Sequence, residues 1–370
     1  MELTINKGEL LRGIARTQGI ADRKTTMPIL AHALLSAEGK NKLVISATDL
    51  AVSVRGSVQA AVKKPGALSV QAKTLFEVVR SLPDDEIQIR LQDNQRLLIR
   101  CGKVEYKING MSDKDYPKIP DTEKMEFVEV DGAILRDMID KTLFSVSHDD
   151  TRYHLSGVYV ESDGEKLRMV STDGHRLSRV ERLAGASKLG LKEGVIIPHK
   201  GIGEVRRLID ESGDNILGVA FKDGSAHFRK GDVTLSVKLI DAKFPDYMQV
   251  IPRSSTQHAV LKRVPFLDAL RRISLLASGD RSGGVKLDLA KTALKVSSDN
   301  PDLGEGQEEV GAEFDGSPLR IGFNARYIID ALGATDSDEV RLELNDDRSP
   351  GILRPVEDEG YLCVVMPIRL

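Results

Sequence analysis

Tryptophan is absent from this 370-residue chain, and aromatic residues together make up only 4% of it. That excludes an aromatic-rich interior, so whatever cores form must be aliphatic. Cysteine is scarce. Cys101 and Cys363 are the only two, both inside β-like runs, which reads as buried thiols in a reducing cytosol. Long apolar runs are missing: none approaches the roughly 18 residues that span a bilayer. Met1-Glu2-Leu3-Thr4 opens directly into a structured segment with no signal-peptide pattern. The expectation is a soluble, cytoplasmic protein with no membrane partner. A basic excess is missing too: the net charge is −3, which argues against a simple basic nucleic-acid binder. The seven histidines and two cysteines show no metal-ligand spacing, and no G-x-x-x-x-G-K-[ST] phosphate loop occurs. No metal or other cofactor is expected. What remains, 41% apolar and 29% charged residues, is ordinary for a soluble globular protein.

What is present is a repeat. Ala47-Thr48-Asp49-Leu50 recurs as Ser171-Thr172-Asp173-Gly174 and again as Ser297-Ser298-Asp299-Asn300, at spacings of 124 and 126 residues. Each copy follows an apolar run, and about 20 residues later comes a β segment leading into a helix: Leu68-Ser69-Val70-Gln71, Val195-Ile196-Ile197-Pro198 and Leu319-Arg320-Ile321-Gly322. A solenoid repeat is about 20–50 residues long, whereas this period is the size of a domain. The chain reads as three copies of one domain, with boundaries near 125 and 253: residues 1–125, 126–253 and 254–370. Pro117-Lys118-Ile119-Pro120-Asp121 and the stretch from Phe244-Pro245-Asp246-Tyr247 to Ile251-Pro252 mark the joints.

Within each third, helical spacing and short alternating runs predict two helices and roughly eight strands. The helices fall near 9–16, 74–82, 134–143, 202–209, 266–276 and 325–332. Helices and strands segregated in this way imply an α+β fold with antiparallel sheets. Charge follows the same division. Six helix windows (7–24, 71–81, 131–143, 196–211, 262–276 and 320–333) sum to +7, leaving −10 for the rest of a chain whose net charge is −3. That sign difference suggests helices facing a polyanion and sheets facing solvent. Size adds a constraint. A compact domain of about 120 residues is roughly 35 Å across. Three such bodies in a ring enclose a hole of only about 5 Å, and six enclose about 35 Å. A DNA duplex is about 20 Å wide. One chain cannot encircle it; a head-to-tail pair can.

A set of motifs then carries a resemblance over the whole chain: Met27-Pro28-Ile29-Leu30, Thr48-Asp49-Leu50, Arg152-Tyr153-His154-Leu155-Ser156-Gly157, Thr172-Asp173-Gly174-His175-Arg176-Leu177, Phe244-Pro245-Asp246-Tyr247, Gly322-Phe323-Asn324 and the terminal Val365-Met366-Pro367-Ile368-Arg369-Leu370. In this order they resemble the bacterial β sliding clamp family, the processivity subunit of DNA polymerase III. The resemblance implies the DNA clamp fold, with three similar domains per chain, helices lining a central hole and antiparallel sheets outside. It implies a homodimeric ring on double-stranded DNA, held without regard to sequence, and a non-catalytic role tethering the polymerase. The implied partners are the DNA polymerase III alpha subunit, the clamp-loader complex, and other polymerases and repair proteins that carry short binding motifs.

By the same resemblance, a partner-peptide pocket is expected from Leu155, Thr172, Gly174, His175, Arg176, Leu177, Pro245, Val250, Asn324, Tyr327, Val364, Val365, Met366, Pro367, Ile368 and Arg369. Leu, Val, Met and Pro give an adaptable apolar slot, with Arg176 and Asn324 placed to fix a peptide backbone. Phosphate contacts that ignore sequence are expected from Arg12, Arg23, Lys24, Lys73, His199, Lys200 and Arg206, and from a loop near His148, Asp149 and His154. A dimer interface is expected where Arg96, Arg100, Lys103 and Lys107 meet an acidic stretch containing Asp299, Asp302, Glu305, Glu308 and Glu309, beside Leu275 and Leu276. Two alternatives stay open: an enzyme using Asp173 and His175 as acid and base with Ser171 nearby, and a clamp relative specialised for repair or for resistance to an inhibitor.

Overall fold

All six expected helices form, yet the strands of the middle third divide between two sheets. The computed structural model describes residues 1–21, 25–184, 189–191, 193–277 and 284–369. Arg23 and Lys24 lie outside the described residues. The chain sorts into two compact units, Met1–Gly132 with Gly203–Leu239, and Ala133–Ile202 with Ile240–Leu370.

The first unit holds β1 (Glu2–Asn6), α1 (Lys7–Ala15), β2 (His32–Glu38), β3 (Lys42–Thr48), β4 (Val52–Gln59), β5 (Ala61–Lys64), β6 (Gly66–Gln71), α2 (Ala72–Ser81), β7 (Glu86–Gln92), β8 (Arg96–Cys101), β9 (Val104–Met111) and β10 (Val128–Asp131). To these it adds β15 (Ile216–Lys222), β16 (Ser225–Lys230) and β17 (Val233–Lys238) from the middle third. They form one antiparallel sheet in the order β10-β15-β16-β17-β4-β3-β2-β6-β9-β8-β7-β1-β5. The join between first and middle thirds is a ladder, β17 on β4, running from Val233↔Gly56 to Val237↔Val52. In β7 the alternating residues Ile87 and Ile89 point inward while Glu86, Gln88 and Arg90 face out, the period-two pattern of a half-buried strand. The core is aliphatic, as composition requires: Leu3, Leu10, Ile14, Leu35, Leu43, Leu68, Leu75 and Ile87 are buried together. Helix α1 starts where Asn6 accepts a hydrogen bond from Gly8 N at 2.8 Å, satisfying one of the orphan donors of a helix start.

The second unit holds β11 (Gly157–Ser162), β12 (Lys166–Thr172), β13 (Arg176–Leu183), β14 (Val195–Pro198), β18 (Gln257–Lys262), α5 (Arg263–Ala277), β19 (Gly284–Ala290), β20 (Ala293–Asn300), β21 (Gly304–Phe314), β22 (Leu319–Asn324), α6 (Ala325–Gly333), β23 (Glu339–Leu344), β24 (Gly351–Pro355), β25 (Tyr361–Val365) and β26 (Pro367–Ile368). Its sheet runs β14-β11-β12-β13-β25-β24-β23-β18-β21-β20-β19-β22-β26, again antiparallel. Here the join is β13 on β25, from Arg176↔Val365 to Val180↔Tyr361. Helices α3 (Gly132–Asp140) and α4 (His199–Asp210) carry the chain between the units. Both cysteines are buried and free, and burial pushes the Cys363 thiol up to about 11.

The repeated Thr-Asp sequence is a turn. After β3, Asp49 Oδ1 accepts from Ala51 N at 2.9 Å and Val52 N at 2.6 Å, and Thr48 Oγ1 accepts from Leu50 N at 3.0 Å. After β12, Asp173 Oδ1 accepts from His175 N at 2.9 Å and Arg176 N at 3.0 Å, and Thr172 Oγ1 accepts from Gly174 N at 3.1 Å. The side chains cap the hairpin in the same way twice. The third copy shifts by one residue: Asn300 Oδ1 accepts from Asp302 N at 2.9 Å and Leu303 N at 3.2 Å.

Candidate partner-binding site

A cavity of about 160 Å³ opens in the second unit, lined by Leu155, Thr172, Gly174, His175, Arg176, Leu177, Pro245, Asp246, Tyr247, Val250, Val364 and Met366. Strand alternation sends Val364 to this face and Val365 to the opposite one, where it packs in the core with Phe323 and Leu353. Beneath the cavity lies an apolar cluster of Leu155, Val170, Leu177, Ile196, Phe244, Tyr247, Ile352, Leu362 and Val364. The opening is far smaller than the ~300–1,000 Å³ of a drug-sized ligand site; it is comparable to the ~150 Å³ hole that admits a benzene ring. It suits one or two apolar side chains of a peptide. Met366 N donates to His175 O at 2.9 Å, which fixes the chain end across the mouth. Pro367 and Ile368 pair with Phe323 and Gly322. Ten of the sixteen residues expected for a pocket therefore line the cavity. Of the others, Tyr327 lies beside it, its ring near-parallel to that of His175 at 6.4 Å. Arg369 is exposed at the terminus. Asp246 and Tyr247 were not singled out, although they stand in the Phe244-Pro245-Asp246-Tyr247 motif.

Two polar residues expected to hold a peptide backbone are engaged by the protein itself. The Arg176 guanidinium donates from Nε to Asp173 at 3.0 Å, from Nη1 to Asp330 at 2.8 Å and from Nη2 to the Phe144 carbonyl at 2.6 Å. It also lies over the rings of Tyr327 (4.6 Å) and Phe144 (5.3 Å). Asn324 Oδ1 accepts from Arg326 N and caps α6. Arg176 is thus a buttress for the cavity wall. Gly174 takes φ +88°, the left-handed region that favours glycine, while Leu50 takes φ +77° at the same place in the first turn. The acid–base reading of Asp173 loses its geometry: both carboxylate oxygens are taken, by two backbone amides and by Arg176. The Arg176 and Asp330 side chains are only 10% and 15% exposed. Asp330→Ala strands part of that buried charge, and urea unfolding is expected to show a loss of about 3 kcal/mol. A change below about 0.5 kcal/mol would show that Asp173 and Phe144 suffice.

Comparison with known proteins bears on the whole chain. Residues 1–120, 129–246 and 248–369 match, in turn, the N-terminal, central and C-terminal domains of the DNA polymerase III beta subunit. The chain belongs to the beta sliding clamp family. The beta sliding clamp of Caulobacter vibrioides is 36% identical over 376 residues, and that of Escherichia coli 32% over 373, each covering 100% of both chains. Among solved structures, the clamp of Bartonella birtlesii bound to griselimycin aligns with TM-score 0.94 at 33% identity, covering 100% of both chains. The α+β clamp fold of three similar domains, expected above, holds.

Of the residues expected to meet phosphate, Arg12, Lys73, His199, Lys200 and Arg206 occupy exposed or half-buried helix positions, while His148 and Asp149 lie in a loop. In the first unit Arg12 pairs with Glu9 at 2.6 Å, Lys73 with Glu77 at 3.7 Å and Arg206 with Asp210 at 2.7 Å. Such exposed helical pairs are worth only about 0.3–0.5 kcal/mol, so an arriving phosphate competes for these cations easily. In the second unit His148 and His199 meet edge to face at 5.0 Å. Burial, then the His148 charge, holds His199 below its ordinary pKa. Lys200 is exposed beside it. His154 packs on Tyr153 at 6.0 Å. Asp149 is occupied by Thr151 and Arg152.

The residues expected at a dimer interface lie on or beside two strands with open edges, β9 and β21, and at the end of α5. β9 pairs with β8 along its length but with β6 only at Gly110 and Met111. Around its free edge Arg96, Arg100, Lys103 and Lys107 are exposed. β21 pairs with β20 from Gly304 to Gly311 and with β18 only beyond that. Its free part carries Glu305, Glu308 and Glu309. Leu275 stands 72% exposed on α5, and Leu276 lies against Gly306.

Proposed function

We propose that the protein is a homodimeric DNA sliding clamp, a ring of six domains that encloses duplex DNA and holds the replicative polymerase on it. The observation that carries this reading is the end-to-end likeness to beta sliding clamps, over 100% of this chain and of theirs. Three features support it. The helix windows are the basic part of an acidic chain. Six domains of this size leave room for a duplex while three do not. Basic residues predominate around β8 and β9 (Arg96, Arg100, Lys103 and Lys107, with Glu105 among them) and acidic ones on β21, and an open strand edge is a template for another chain. The domains are taken as residues 1–125, 126–253 and 254–370. Their work is non-catalytic and cytoplasmic. Partners, among them the polymerase alpha subunit and the clamp loader, dock an apolar peptide in the cavity beside Met366. Among the described residues no helix is long and apolar enough to cross a membrane.

The test is topological. Loaded onto a nicked circular duplex by a clamp loader with ATP, the labelled protein should co-elute with DNA on a sizing column. Linearising the circle with a restriction enzyme should release nearly all of it. Retention on linear DNA with free ends would refute encirclement.

A further inference from the structure

A second cavity, of about 370 Å³, shares the Pro245, Asp246 and Tyr247 stretch with the first. Its walls come from β11, β12, β13 and the loop through Lys243 and Met248. Nothing in the clamp reading above uses it. Its polar groups can be accounted for one at a time. Glu161 accepts from Arg168 Nη1 at 2.7 Å and from the Tyr247 hydroxyl at 2.5 Å. Glu181, just behind, accepts from Lys166 at 3.1 Å, from Arg168 at 3.2 Å and from Arg179. Asp246 accepts from Gln249 Nε2 at 2.9 Å. Burial, with Glu161 adding to it, pushes the Tyr247 hydroxyl up to about 12, so it remains a donor at neutral pH. Every wall carboxylate therefore has a donor.

The cations are not matched in return. Arg179 Nε is buried with no acceptor. Lys243 is exposed and makes no ion pair among the described residues. A buried guanidinium donor left without an acceptor is costly, and the lining residues hold one positive charge in excess, Arg168, Arg179 and Lys243 against Glu161 and Asp246, which favours an anion. Apolar surface for its stem is at hand: Tyr159 stacks on Phe244 at 4.8 Å, and Met248 is exposed on the rim.

We propose that this second cavity is a subsite for an acidic side chain of the partner peptide, its carboxylate accepting from the Lys243 ammonium and drawn by the positive charge of the Arg179 guanidinium. The apolar residues of that peptide fill the neighbouring cavity, so the inference rests on the peptide reading given above. It makes the site selective for apolar segments with Asp or Glu alongside them.

The probes are two fluorescein-labelled synthetic peptides with one central Leu-Phe segment, flanked on both sides by Glu in one and by Gln in the other. Fluorescence anisotropy against the full dimer should give about fivefold tighter binding for the Glu peptide at low salt, the upper range for a single exposed charge pair. The advantage should shrink as salt rises and vanish in Lys243→Glu and in Arg179→Gln, while the Gln peptide binds those variants as it binds the parent protein. Lys243 is a surface residue, so its variant keeps the test valid even if Arg179→Gln folds poorly. Equal affinity for the two peptides, or a Glu advantage that survives Lys243→Glu, overturns the subsite and leaves the first cavity standing. Failure of the Gln peptide to bind the parent protein overturns the peptide reading itself, and this inference with it.

Discussion

Aspartate at both Leu275 and Leu276 should convert the proposed dimer into a monomer, with the mass measured by multi-angle light scattering halved at micromolar concentration. On α5 the apolar residues Phe266, Leu267, Leu270 and Ile273 are buried, while Leu275 is left 72% exposed. Its neighbour Leu276 touches Gly306 of β21, and Arg272 binds Glu308 of the same strand through two bonds of 2.8 and 2.6 Å. Helix end and open strand edge therefore make one surface. Burying a leucine contributes about 1.5–3 kcal/mol. A ring of two chains closed head to tail has two identical junctions, so each substitution counts twice. Leu275 alone accounts for about 3–6 kcal/mol over the two junctions, before the smaller loss from the half-buried Leu276 and the cost of burying carboxylates are added. A micromolar dimer is held by only about 8 kcal/mol. Leu183→Asp, at another exposed leucine, should leave the mass unchanged. A dimer that survives the paired aspartates would remove α5 from the interface.

Deleting residues 366–370 should weaken binding of the Leu-Phe peptide at least a hundredfold by calorimetry, with little change in melting temperature. The deletion takes away Met366, a cavity wall tied to His175 O, and β26, whose two residues only add an edge to β22. It spares β25, whose five residues are all buried. Losing one apolar wall and its backbone anchor accounts for about 3 kcal/mol, which is the stated factor. Binding weakened less than threefold would place the peptide elsewhere.

Local features of this clamp were readable from the chain, and distant pairings were not. Helix α5 declares itself through apolar residues at 266, 267, 270 and 273, because burial of one helical face requires that spacing. The Thr-Asp repeat was visible as letters. That its carboxylate caps a hairpin at Asp49 and Asp173 depends on amides two and three residues away, so short-range chemistry explains it afterwards. The fate of the middle third left no such trace. β17 joins β4 and β13 joins β25, and nothing local in a strand names its neighbour across more than 170 residues. Arg176 shows the same limit. Its acceptors at Phe144 and Asp330 lie 32 and 154 residues away, so a side chain that looked like a peptide contact is a brace.

The position of β25 has a consequence for how the protein is made. It follows every other strand of its sheet but β26 along the chain, yet it sits inside that sheet between β13 and β24. A nascent chain that stops before Tyr361 leaves both neighbours with bare edges and the cluster around Leu177 without Leu362 and Val364. Domains fold as they emerge, from the N-terminus onward, so the first unit can close while the ribosome is still at work and the second cannot. The cavity, walled by Val364 and Met366, forms only once that stretch of the chain has been added, after everything else that lines it.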